Sequence, residues 1–344
     1  MQTGKPDTLF HVTDEQPGIR RRRVGRGFRY LRADDQPVTS PETIERIRRL
    51  AIPPAWVDVW ICPSAKGHIQ ATGRDQKGRK QYIYHPMWME ERDLAKFDKL
   101  TGFANVLPSL RQRVDDDLRQ RGTPREKAIA TAIWLLDQTF IRIGNEAYIA
   151  NGSYGLTTLR SRHVVVGTAD LKLRFRGKAG KQWTVKVSDR RIANTVRQIL
   201  DLPGQRLFQY LDSDGEPHPI TSTDVNGYIA EAIGADFSSK FFRTWGGTTR
   251  AAQLLSSTPL PSAASPAKRV LNSTIDRVAA ELRNTRAVCR QSYIHPAVIE
   301  HWQAGSLTEE MERIARGADE APSHLRQEEH IVRIWLSEYG RQQS

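Results

Sequence analysis

The period of the apolar positions changes along the chain, and the change divides it in two. Up to about residue 90 the apolar residues come in short runs, at 56–62, 67–72 and 80–84, broken by SAKG and GRDQKG. Such runs, bounded by polar turns that carry glycine, predict strands. One helix interrupts them. Residues 40–50, SPETIERIRRL, open with Ser40 and Pro41, carry Glu42 in the first turn, and stop at Pro53 and Pro54. Proline at the first helical position with an acid behind it marks a helix start. From residue 88 the charged stretch MEERDLAKFDKL predicts a helical linker, after which helical periodicity dominates. In residues 124–141, Ile129, Ala132, Ile133, Leu136 and Phe140 share one face, which predicts a core helix.

Residues 164–187 return to period two. Leu171, Leu173 and Phe175 alternate with Lys172, Arg174 and Arg176, and Trp183, Val185 and Val187 follow the turn Gly177-Lys178-Ala179-Gly180. Alternation on both sides of a glycine-rich turn predicts a hairpin. Helices are expected again at about 189–200, 223–233 and 266–282, with two polar ones near 307–316 and 323–339. The expected fold class is α+β. A small β-rich domain over residues 1–90 precedes a mainly helical domain over 91–344, which contains the hairpin at about 164–187 and tail helices at about 305–344.

Charge narrows the partners. Fifty-two Lys and Arg against 39 Asp and Glu leave a net charge of +13, which favours an anionic partner: nucleic acid first, a membrane surface or acidic protein second. Residues 20–32 carry Arg20, Arg21, Arg22, Arg23, Arg26, Arg29 and Arg32 and no acid, with Gly25, Gly27, Phe28 and Tyr30 interleaved. That pattern suits a strand tracking a phosphate backbone, or a plain solvated basic face. Loop residues Lys66, Arg74, Lys77, Arg79 and Lys80 face only Asp75. Residues 1–18 read as a polar arm without the apolar stretch of a signal peptide. A membrane span needs about 18 consecutive apolar residues, which this sequence does not contain. Cys62 and Cys289 are far apart and in no CxxC pattern, so free thiols in a cytoplasmic protein are expected rather than a disulfide or zinc site.

Several stretches place polar side chains where an anion can sit. Arg142, in FIRIGN, directly follows the apolar helix, where a charge is costly unless paired or facing a ligand. Lys178 sits at the hairpin tip, from which a lysine can reach a phosphate or donate a proton. In KFFRTWGGT, Lys240 and Arg243 lie three apart on one helical face, and Gly246-Gly247 is expected to break that helix. Finally, LRNTRAVCRQSYIHP sets Tyr293 among arginines just before a helix expected to begin at Pro296. Taken singly, these read equally as a salt bridge, a surface lysine, a basic helix end and a tyrosine stacked on arginine. The nine histidines are scattered, and neither HExxH nor a P-loop occurs. His295 reads as a helix-start residue.

Together, and in this order, the stretches resemble the type IB DNA topoisomerases, in particular the bacterial and poxvirus members, over nearly the whole chain. In that family an arginine in an IR-[IF]-G pattern, a hairpin-turn lysine, the arginine of K-x-x-R-T-[YW]-G and a tyrosine act together. The matching positions here are Arg142, Lys178, Arg243 and Tyr293. A histidine, or asparagine in some bacterial members, stands nine residues before the tyrosine, and here it is Asn284. Asparagine can donate a hydrogen bond to a phosphoryl oxygen but cannot carry charge. The resemblance implies a helical catalytic domain like that of the tyrosine recombinases. It implies Tyr293 as nucleophile, Lys178 as general acid, and Arg142, Arg243 and Asn284 on the phosphate. Gln81-Tyr82-Ile83-Tyr84 matches the family's Q-Y-x-Y stretch, which touches DNA in the major groove. Arg79, Lys80, Tyr148, Lys240 and Thr248 are further candidates for DNA contact.

The resemblance further implies relaxation of positive and negative supercoils through a 3′-phosphotyrosyl intermediate, without ATP, metal or small-molecule cofactor. The partner is duplex DNA and not a membrane. The chain is expected to act as a monomer, in the cytoplasm and on the nucleoid in a bacterium, closing its two domains round the duplex with a hinge near 88–95. Two alternatives remain at this point. A tyrosine site-specific recombinase shares the chemistry, although those enzymes usually show H-x-L-R where this chain has KFFR. A non-enzymatic DNA-binding protein would satisfy the charge alone.

Overall fold

The computed structural model describes residues 8–343, apart from the side chains at 90 and 92–94. Contacts divide the chain into two units, Met1–Lys96 and Phe97–Ser344.

In the first unit the strands β1 (Ile19–Val24), β2 (Gly27–Leu31), β3 (Val57–Ile61), β4 (Ile69–Arg74) and β5 (Lys80–Tyr84) form one antiparallel sheet in the order β2-β1-β3-β4-β5, with α1 (Pro41–Arg49) between β2 and β3 in the chain. Ser40 caps α1 by accepting from the Thr43 amide, and Pro41 fills the first turn. Ile47 from the helix joins Ile19, Val59, Ile61 and Ala71 in a small core.

The arginine-rich stretch is a hairpin and not a single strand. Gly25, at φ +57°, makes its turn. Arg21 is not free for phosphate: its guanidinium donates to the carbonyls of Ile52, Pro53 and Trp56 and lies 4.2 Å from the Phe28 ring centre. Residues 8–18 are not a free arm either. Phe10 bridges to Gly67, the Val12 amide donates to His68, Thr72 donates to Asp14, and the Trp60 indole donates to the Gln16 carbonyl. The remainder of the expected arm, residues 1–7, lies outside the described residues.

The stretch read as a linker is the interior of one long helix, α2 (Pro86–Leu118), whose residues from Phe97 onward belong to the second unit. There Phe97, Leu100, Phe103, Leu107 and Leu110 pack with Ile129, Ile133 and Leu136 of α3 (Arg125–Thr139). Strands β6 (Val164–Val166), β7 (Asp170–Arg176) and β8 (Gln182–Ser188) form an antiparallel sheet. The hairpin expected here is β7–β8, in register at Phe175 and Trp183, with one more strand added at its edge. Leu171, Leu173, Phe175 and Trp183 point into the main core.

The chain then runs through α4 (Arg190–Leu200), the short pair β9 (Gln209–Leu211) and β10 (Pro217–Pro219), α5 (Ser222–Ile233), α6 (Lys240–Ser256), α7 (Ala264–Glu281), α8 (Arg286–Ser292), α9 (Pro296–Ala304), α10 (Leu307–Gly317) and α11 (Gln327–Gln343). Helix α6 does not break at Gly246-Gly247 but continues two more turns. The tail helices are part of the core: Leu307, Met311, Ile314, Val332, Trp335 and Leu336 are buried in it. The fold is α+β, and among the described residues no helix is long and apolar enough to cross a membrane. Both cysteines are free and buried.

Candidate active site

Helix α3 ends at Phe140, a left-handed residue at φ +55°. That conformation is unusual for a side chain with a Cβ and reverses the chain. It leads into Arg142, and it leaves the Phe140 carbonyl as an acceptor for Arg243 Nη1. A second carbonyl, Leu282 O at the end of α7, accepts from Arg243 Nη2 at 2.7 Å. Two backbone acceptors thus orient a guanidinium that is only 5% exposed. Its Nε is buried and has no hydrogen-bond partner among the described residues. Burial, and then the charge of Arg142, lower the Arg243 pKa to about 10, so it stays protonated at neutral pH.

Asn284 is set by the end of α7. Arg283 is left-handed at φ +50°, its amide donates to Ala280 O, and the Asn284 amide donates to Ala279 O at 2.8 Å. This is the Schellman arrangement, here with arginine at the position usually given to glycine. It delivers the Asn284 side chain to Arg142, whose Nη2 donates to Oδ1 at 2.7 Å. The amide Nδ2 is buried without a partner among the described residues. Unpaired buried donors are rare and call for an explanation. Nδ2 of Asn284, whose Oδ1 pairs with Arg142, and Nε of Arg243, whose guanidinium lies over the Tyr293 ring, are two such donors.

Tyr293 ends α8, and its amide donates to Cys289 O at 3.0 Å. The Arg243 guanidinium carbon lies 4.9 Å from its ring centre. Burial raises the phenol pKa, but the charges of Arg243 and Arg142 lower it further, and the net direction is down. Behind the ring, Thr248 of α6 is fully buried, donates to Tyr293 O at 3.3 Å and accepts from the His295 amide at 3.1 Å. Thr248 therefore grips the backbone on both sides of Ile294 and is not open to a ligand. The two glycines of α6 serve close approach. A Cβ on Gly246 would lie 2.2 Å from the Phe140 ring, and one on Gly247 would lie 2.5 Å from Tyr293 O. His295 caps α9 through Nδ1, accepting from Ala297, and burial drives its pKa down to about 4.

The structure thus brings together four of the expected residues: Arg142, Arg243, Asn284 and Tyr293. Lys178 lies in the turn Lys178–Gly180 between β7 and β8, exposed, with no hydrogen bond or ion pair of its ammonium among the described residues. Lys240 is exposed at the first turn of α6, and Tyr148 is exposed in the turn Glu146–Asn151. In the first unit, Tyr82 and Tyr84 stack at 5.8 Å on one face of edge strand β5, with Lys80 5.6 Å from the Tyr82 ring centre. Arg79 and Gln81 both donate to Asp75, and Lys80 pairs with Asp14 at 2.7 Å. No group of His, Cys, Asp and Glu poised to hold a metal occurs among the described residues. Sequence reasoning missed Phe140, Thr248 as a holder of the tyrosine, and Arg283. A non-glycine left-handed residue carries no pattern in the sequence that would reveal it.

Residues 77–319 match the family model described as the eukaryotic DNA topoisomerase I catalytic core, and residues 27–75 match that of the bacterial DNA topoisomerase IB N-terminal domain. The chain is 31% identical to the DNA topoisomerase 1B of Acanthamoeba polyphaga mimivirus, over 83% of this chain and 88% of that protein. It is 23% identical to the DNA topoisomerase 1B of vaccinia virus (strain Western Reserve), over 78% and 83% of the two chains. It is also 23% identical to the DNA topoisomerase 1 of rabbit fibroma virus (strain Kasza), over 78% and 86%. Two family models side by side, the mimivirus likeness along most of both chains, and a pair of arginines beside one tyrosine agree: the chain belongs to the type IB DNA topoisomerases, among their bacterial and poxvirus-like members.

Proposed function

We propose that this chain relaxes positively and negatively supercoiled duplex DNA by cutting and resealing one strand through Tyr293. The observation that supports the assignment of residues is the meeting of Arg142 and Arg243 at a phenol whose pKa their charges lower, with Asn284 hydrogen-bonded to Arg142. Tyr293 Oη attacks the scissile phosphorus, the bond to the 5′ oxygen breaks, and a 3′-phosphotyrosyl ester forms. The phenol gives up its proton, and Lys178 supplies one to the departing 5′ oxygen. Because the ester conserves the energy of the phosphodiester, the 5′ hydroxyl can attack back with no nucleotide hydrolysed. Arg142 and Arg243 hold the non-bridging oxygens, with the idle Nδ2 of Asn284 and Nε of Arg243 as donors. Arginine charge here does what metal ions do in many phosphoryl-transfer sites.

Lys178 has the exposure and freedom to reach the leaving oxygen from its turn. Lys240, Tyr148 and the Tyr82–Tyr84 face with Gln81, Arg79 and Lys80 contact DNA, and the first unit serves as the other jaw of a clamp. Thr248 acts on the backbone of Tyr293 instead. The chain works as a monomer in the cytoplasm, on the nucleoid in a bacterium. Tyr293→Phe tests the reading. Plasmid relaxation and the covalent adduct should vanish while duplex binding persists, and mass spectrometry of the wild-type adduct should place the 3′ phosphate on Tyr293. Relaxation by the phenylalanine variant would refute it.

A further inference from the structure

The catalytic-core match stops at residue 319, before α11. Yet α11 reaches the site from two sides. At its start Glu329, 5% exposed, shares Arg111 of α2 with Asp137 of α3: Arg111 Nη1 lies 2.6 Å from Glu329 and Nε lies 2.8 Å from Asp137. The same carboxylate accepts from the indole Nε1 of Trp245 at 3.1 Å. Trp245 is 1% exposed and stands two residues after Arg243 on α6. Ten residues along α11, about 15 Å at the helical rise, the Tyr339 ring meets the His295 ring edge-on at 5.6 Å. Phe97 also packs on His295, at 5.2 Å, and His295 is two residues past the nucleophile.

A helix present only to cover the core would need apolar contacts alone. Burying a glutamate and an arginine there is costly unless each is fully paired, and an apolar replacement often stabilises as well or better. What the ionic network adds is direction. It fixes one carboxylate oxygen under the Trp245 indole and so resists rotation of α6 about its axis. Tyr339, at the other end, backs the joint between α8 and α9.

We propose that α11 is a positioning element of the active site, in which Glu329 acting through Trp245 and Tyr339 acting through His295 set Arg243 and Tyr293 in register. The proposal rests on Tyr293 being the nucleophile. Its test compares Trp245→Phe, Glu329→Gln and Tyr339→Leu in the full chain, each assayed well below its own melting temperature. The readouts are single-turnover cleavage of a nicked duplex at saturating enzyme, the Kd for that duplex, the melting temperature, and the pH midpoint of cleavage. Charges facing the Tyr293 phenol come from Arg243 on α6 and Arg142 after α3, so a displaced Arg243 moves that midpoint upward.

Glu329→Gln forfeits charge but keeps an acceptor for Trp245. It should cost the most melting temperature while cleaving within about three-fold of wild type. Trp245→Phe and Tyr339→Leu should be the more stable proteins yet cleave about ten-fold more slowly or worse, with Kd unchanged and a higher pH midpoint. Cleavage that is unchanged, that follows melting temperature across the set, or that falls in step with DNA binding overturns the proposal. Tyr293→Phe is run beside them. Adduct formation by that variant would sink the nucleophile assignment, whereas normal cleavage by Trp245→Phe and Tyr339→Leu sinks only the role of α11.

Discussion

Gly247→Ala adds one methyl group to the middle of α6, and both of its consequences can be estimated. Alanine is favoured over glycine within a helix by about 1 kcal/mol. The new Cβ, however, would stand 2.5 Å from Tyr293 O and 3.1 Å from Tyr293 Cβ. Ordinary contact begins near 3.4 Å, so the Tyr293 backbone must retreat by about 0.9 Å. The obstacle is main chain, pinned by the Thr248 hydroxyl, and cannot rotate aside as a side chain would. Overpacking of this kind costs about 1–3 kcal/mol, which the helix gain partly offsets, so stability should fall by no more than about 2 kcal/mol. Catalysis should suffer far more, since a misplacement near 1 Å can cost about 10²-fold. Single-turnover cleavage of a nicked duplex, read beside urea unfolding, measures both effects. Wild-type cleavage by Gly247→Ala would refute the view that α6 and the tyrosine joint are held in direct contact. Cleavage lost only in proportion to folded protein would refute it equally.

Asn284→Asp keeps the acceptor toward Arg142 but replaces the idle Nδ2 donor, which the proposed mechanism directs at the phosphate, with an anionic oxygen. Cleavage should fall by about 10²–10³-fold with duplex binding little changed, and single-turnover rates would expose an error here if the aspartate proved harmless. His295 provides a prediction about acid. Its folded pKa of about 4 lies below the ordinary value of 6.5, so folding favours the neutral ring. The stability this represents is complete above about pH 6.5 and is lost as the pH falls toward 4, to a total of about 3 kcal/mol. His295→Asn, which can still cap α9, should lose less stability than wild type between pH 7 and pH 4.5 in urea titrations. Equal losses would show that another group governs the acid limb.

Local signals carried much of this architecture. Ser40-Pro41 starts α1, the helical periodicity of 124–141 is α3 (although that helix is buried on nearly all sides and ends before Phe140), the alternation about Lys178 is β7–β8, and Pro296 opens α9 behind His295. The errors share a cause, which is that tertiary contact decides what a locally ambiguous residue does. Gly246-Gly247 reads as a helix stop because glycine is a poor helix former, but here the missing Cβ lets Phe140 and Tyr293 come close. Arg21, one of seven arginines in a basic stretch, is a carbonyl clasp. Thr248 reads as a polar residue available to DNA and is instead fully buried under the tyrosine. Helix α8 is too short to show periodicity, and β9 and β10 too short to show alternation. Motif order singled out Arg142, Arg243, Asn284 and Tyr293, which the fold brings together. Their geometry was not legible, because it depends on left-handed turns at Phe140 and Arg283.

The bond between Arg142 and Asn284 spans 142 residues of chain. Contacts so distant in sequence form only after intervening segments have found their places. A chain that has not yet closed this contact therefore lacks the Arg142 charge that helps lower the Tyr293 pKa. A topoisomerase built this way gathers its strand-cutting site only after the end of α7 has docked beside the end of α3.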